Sequence, residues 1–103
     1  MSSPKHRLIL AIEADDDITD ILYHSRRQWG EEQERRYAEL LDRALSLLLD
    51  NPHLGRPRDD LQPGYRTHPV GQHLLVYRLT EDAIIVLRVL HARRDLRNAL
   101  QEP

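Results

Sequence analysis

The sequence predicts an α+β fold in which an antiparallel helical hairpin covers one sheet, built from a first strand and a three-stranded antiparallel meander and followed by a short C-terminal helix. Three observations carry this. Two apolar stripes at helical spacing are separated only by Gly30. A breaker-rich segment at 51–64 holds Pro52, Gly55, Pro57, Pro63 and Gly64. Three strand-like runs then follow with tight turn signals between them. A chain of 103 residues, 40% hydrophobic and 31% charged, has apolar content for one core and is not disordered in composition. A single domain is expected over 1–103.

Residues 6–12 (HRLILAI) are short, apolar and end at an acidic cluster, which suits a first strand. From there Ala14, Ile18, Ile21, Leu22, Ser25 and Trp29 recur at three- and four-residue steps, one face of a helix that Gly30 stops. Tyr37, Leu40, Leu41, Ala44, Leu45 and Leu48 form the stripe of a second helix ending before Asn51-Pro52. So short a break demands an antiparallel hairpin, with Trp29 and Tyr37 read as core anchors near its turn. The segment 51–64 reads as an ordered loop. Strands are expected over 65–70, 72–79 and 83–91, and a last helical turn or two over 95–100.

Charge divides the chain. Residues 1–60 carry 9 basic against 13 acidic side chains (−4), and the remainder 6 against 4 (+2), for a net charge of −2. Fourteen of the 15 basic residues are Arg. A protein that grips nucleic acid over a broad face is more often basic overall, so no direct sequence-specific nucleic-acid binding is expected. Without Cys, disulfides, thiolate chemistry and Cys-based zinc sites are excluded. No run reaches the roughly 20 apolar residues of a membrane span, and a cytoplasmic location without membrane contact is expected.

Strand alternation sorts the polar side chains by face. On the last strand Ile85, Leu87, Val89 and His91 share one face, expected to meet the helices, and Ile84, Val86, Arg88 and Leu90 the other. Arg66, His68, Arg78 and Arg88 are then expected together on the open face, where guanidinium groups either bind an anionic partner or merely pair with carboxylates. The run VLHARRD at 89–95 offers His91 as a titratable group, with Arg93 and Arg94 as bidentate donors to a phosphate or carboxylate. The structural alternative makes His91 a hydrogen-bonded cap of the sheet and Asp95 the N-cap of the last helix. His6, His24, His53, His68, His73 and His91 show no metal-ligand spacing, Ser25 and Ser46 lie within helices, and no phosphate-cradling glycine loop exists. No cofactor or metal is expected.

The order of elements, together with Trp29-Gly30, NPHLGRPRDDL at 51–61, PGYR at 63–66, VYR at 76–78 and RVLHARRD at 88–95, resembles the ParE branch of the RelE/ParE toxin superfamily over residues 7–100. The resemblance implies the toxin of a type II toxin–antitoxin module of the plasmid-stabilisation kind, joined in a hetero-oligomer to a cognate ParD-like antitoxin. Members either inhibit DNA gyrase and arrest growth, or cut ribosome-bound mRNA. Aligned without gaps, a catalytic arginine of the ribonuclease branch falls on Leu74 and its terminal tyrosine on Leu100. Two of its lysines fall on Arg66 and His68, and Arg94 keeps one basic position. Leucine can neither hold a phosphate nor move a proton, so the resemblance favours gyrase inhibition by binding. Two alternatives stand beside it: a ribonuclease using Arg66, His68, His91 and Arg94, and a non-toxic antitoxin-binding member. For a binding role, Arg66, Arg78, Arg88, His91, Arg93 and Arg94 form the candidate contact set. The hairpin's exposed apolar edge would seat the antitoxin.

Overall fold

In a computed structural model that describes residues 6–101, the chain forms a five-stranded sheet with helices on both faces. The elements are β1 (Arg7–Leu10), α1 (Ile12–Trp29), α2 (Glu31–Asp50), β2 (Arg56–Pro57), β3 (Tyr65–Val70), β4 (His73–Leu79), β5 (Ala83–His91) and α3 (Leu96–Gln101). The sheet order is β1-β5-β4-β3-β2. β1 runs parallel to β5, and every other pairing is antiparallel. The expected architecture is present, with β2 added as a two-residue strand at the far edge, the one place in a sheet where Pro57 forfeits no ladder bond.

Gly30 closes α1 by donating its N–H to Arg26 O and opens α2 by accepting from Glu34 N–H. Arg26 in the last turn of α1 meets Glu31 and Glu34 in the first turn of α2, a placement that complements both helix dipoles. The hairpin lies on a core of Ala14, Leu41, Leu48, Val70, Leu75, Tyr77, Ile84, Val86 and Val89, with Ile18, Ile21, Leu22 and Tyr37 packed against it. On the opposite face, α3 covers Val76 and Leu90 with Leu96 and Ala99, joined by Leu61, Tyr65, Leu74 and Leu100. β5 is apolar along most of its length because it is interior to the sheet and covered on both sides.

Two expectations fail here, for identifiable reasons. Between the pairs Val76↔Arg88 and Tyr77↔Val86 the ladder skips Leu87, a β-bulge that reverses the alternation of β5. Ile84 and Val86 therefore join Val89 under the helices, whereas simple parity places Ile85 and Leu87 there. Trp29 is not a core anchor: at the end of α1 it is 71% exposed.

Two tyrosines on the helix side of the sheet pin loops. Fully buried Tyr77 donates its hydroxyl to Pro52 O (2.8 Å) and accepts Gly55 N–H (2.9 Å). Tyr37 donates to Val70 O (3.0 Å) and accepts Gln72 N–H (3.2 Å) at the β3–β4 turn. A Cβ on Gly55 would stand 2.5 Å from the Tyr77 hydroxyl, and one on Gly71 2.6 Å from that of Tyr37. Both close approaches require glycine.

Candidate functional site

The expected open face of cationic side chains does not assemble. Strand register places Arg66 and His68 level with Tyr77 and Leu75 on the helix side, whereas Arg78 and Arg88 stand with Val76 on the side that carries α3. Thr67 and Tyr65 occupy the β3 positions that Arg66 and His68 were expected to fill.

Arg66 and Arg88 are committed to the fold. The Arg66 guanidinium donates to His53 O (3.0 Å) and Gly55 O (2.7 Å), bracing the loop that Tyr77 also holds. Arg88 forms a bidentate pair with Asp17 of α1 (2.8 and 3.1 Å) and donates to Ala99 O (3.2 Å) in α3. Asp17 also accepts Val89 N–H (2.9 Å), on the edge of β5 past the end of β1. One carboxylate thus satisfies a strand edge and a guanidinium, and ties both helical layers to the sheet. Arg78 is exposed. His68 is half-buried, and burial holds its imidazole below the ordinary range.

The end of β5 gathers a different group. His91 accepts Arg93 N–H at Nδ1 (3.2 Å), and its backbone carbonyl accepts Arg94 N–H (2.9 Å). The turn carries both arginine side chains to the surface. Asp95 caps α3 through Arg97 N–H (3.1 Å), as the structural alternative required. The His91 ring meets His73 edge-on at 5.6 Å between centroids, and His73 Nδ1 lies 2.6 Å from the Tyr37 hydroxyl. Burial, and then the neighbouring His91, push the His73 imidazole below its ordinary range. Burial raises the Tyr37 phenol.

Sequence reasoning found His91 and Arg93 but missed His73 and Tyr37 as their partners. The available signal was the parity of β4, which puts His73 in line with Leu75 and Tyr77. Helical metal spacing was the wrong template for a cross-strand histidine pair. Among the described residues, no group of three or more His, Cys, Asp or Glu is arranged to hold a metal ion. Nor is any helix among them long and apolar enough to cross a membrane.

The positions decisive for RNA cleavage in the resemblance hold packed leucines: Leu74 and Leu100 both lie against the cluster under α3. The helix side carries an apolar margin. Leu40, Ala44 and Leu47 of α2 face Pro69 and Val70 across a groove of about 240 Å³. Beside it, the outer edge of β3 runs past the two residues that β2 covers.

Comparison with known proteins agrees with this architecture. Residues 8–96 match the family described as the ParE toxin of the type II toxin–antitoxin system, parDE. The chain is 40% identical over 82 residues to Toxin ParE1 of Mycobacterium tuberculosis, covering 79% of this chain and 81% of that one. It is 33% identical over 88 residues to Toxin ParE1 of Caulobacter vibrioides, covering 85% and 91%. Among solved structures, the chromosomal ParDE system from P. aeruginosa superposes with a TM-score of 0.74 at 21% identity, over 86% of this chain and 98% of that chain. YafQ from E. coli superposes with a TM-score of 0.61 at 16% identity, over 94% and 99%. The chain therefore belongs to the ParE toxin family of type II toxin–antitoxin systems.

Proposed function

We propose that this toxin acts by binding DNA gyrase, without chemistry of its own, and that a cognate ParD-like antitoxin silences it in a stable complex. The observation that carries the reading is that Leu74 of β4 and Leu100 of α3 both pack against the apolar cluster between α3 and the sheet. A ribonuclease needs charge at those places to stabilise a pentavalent phosphate and to move a proton, and loss of one such donor costs about 3 kcal/mol of barrier. Arg66 and Arg88 do not replace it, since backbone carbonyls and Asp17 engage them. Gyrase contact falls to the cationic groups that reach the surface, Arg78, Arg93 and Arg94.

The antitoxin reading rests on the apolar margin of the hairpin. An amphipathic helix laid against Leu40, Ala44 and Leu47 with an extended segment along β3 would use two standard recognition modes at once. The chain works in the cytoplasm on this reading, where both partners are made.

Induction of the chain without an antitoxin tests the function. Growth arrest with DNA-damage signalling and intact mRNA is expected. Arrest with codon-positioned mRNA loss would establish the ribonuclease alternative, and unimpaired growth the non-toxic one.

A further inference from the structure

We propose that the cleft between α1, α2 and the His73–His91 pair is a proton-gated docking site for a peptide segment presenting a carboxylate beside an apolar residue. The proposal goes beyond the toxin reading and stands whichever target the toxin has.

Two adjoining hollows meet at Gln72. One, of about 160 Å³, has Ile21 and Trp29 as its apolar wall, with Tyr37 and His73 at its floor. The other is bounded by His91 and Arg93. Although the chain carries 17 acidic residues, none of the described residues lining either hollow is acidic. The groups facing His73 are His24 from α1, Tyr37 from α2, His91 from β5 and Arg93 beyond it, with uncharged Val70 opposite on β3. All that are ionisable become or stay cationic, or neutral, as pH falls.

Hydrogen bonding sets the protons. Tyr37 spends its hydroxyl proton on Val70 O, so the 2.6 Å contact makes His73 Nδ1–H the donor, and the neutral ring keeps its lone pair on Nε2. His91 accepts Arg93 N–H at Nδ1, so its proton sits on Nε2. A proton taken up at His73 Nε2 turns the pair into two N–H donors beside a guanidinium. That array fits a carboxylate. A single arginine is too sparse for a phosphate backbone, whereas the exposed indole of Trp29 supplies apolar area for a neighbouring side chain. Protonation at His73 is opposed by burial and by His91, and a bound carboxylate reverses that bias, so binding takes up a proton.

The test is NMR titration of the full chain, reading the histidine ring signals, with acetyl-Leu-Glu-Leu-amide, its glutamine counterpart and a short oligothymidylate as probes. The glutamate peptide is expected to shift the His73 and His91 rings and to bind roughly tenfold more tightly at about pH 5.5 than at about pH 8. H73Q, whose amide can still donate to Tyr37, should remove the pH dependence, and surface variant R93A should weaken binding several-fold. Rings unmoved by the glutamate peptide, equal binding of the glutamine peptide, or tighter binding of the oligonucleotide would each overturn the proposal. Should H73Q fail to fold, ring titration of the unsubstituted protein and R93A decide the matter.

Discussion

Tyr77 shows how one side chain can position a loop. Its ring fills the core while its hydroxyl is bonded on both sides to a segment rich in Pro and Gly, and the missing Cβ of Gly55 makes room for it. G55A should therefore cost about 1–3 kcal/mol through overpacking at a site with no slack. Urea unfolding measures this, and a variant as stable as the parent would refute the contact. Asp17 is the second residue on which several parts depend. Its removal takes the carboxylate from Arg88 and the acceptor from the Val89 N–H in a largely desolvated place, so D17A should lose about 3–5 kcal/mol. The double variant D17A/R88M should regain part of that loss, because the guanidinium that has lost its carboxylate is gone as well. If the double variant is as unstable as D17A, the pair is not the cause.

At the scale of elements, the bulge at Leu87 decides which side chains face which layer. Upstream of it Ile84 and Val86 point to the hairpin, and downstream Val89 and His91 do. Deleting Leu87 would restore plain alternation while Val86 and Val89 both stay turned to the hairpin, so the shortened chain is expected to keep cooperative unfolding by near-ultraviolet circular dichroism and calorimetry, and its loss would contradict this register. Helices, meander and turns were legible in the sequence because they follow from apolar period, from Gly30 and from clustered Pro and Gly. The bulge was not, since an unbroken apolar run such as AIIVLRVL carries no alternation to mark the slip. The same silence affects the candidate site: nothing in the sequence marks the register of β3 against β4, so strand alternation alone does not separate Arg66 and His68 from the face that Arg78 and Arg88 occupy. The run at the end of β5 was legible because local sequence fixes its turn and the Asp95 cap. Its partner His73 lies across a strand, where only tertiary register brings it.

Across the whole molecule, charge and burial are unevenly spread. The acidic hairpin half and the arginine-bearing sheet half give a near-neutral total. The two half-buried histidines, His68 and His73, add a pH dependence. Both are held below the ordinary imidazole value of 6.5, so the unfolded chain binds more protons than the folded one just below that value. Stability is full above the unfolded value and falls as pH drops through it. The urea midpoint should accordingly be lower at about pH 5.5 than at about pH 7.5, with the gap narrowed in H73Q, and a flat profile would show that these rings do not titrate differently on folding. On the proposed reading, a fold whose would-be catalytic places hold packed leucines works by binding gyrase. ATP-dependent supercoiling of relaxed plasmid by gyrase, with purified toxin added, tests it most directly. Binding to gyrase predicts dose-dependent inhibition that added antitoxin relieves. Undiminished supercoiling by a toxin that arrests growth would contradict it.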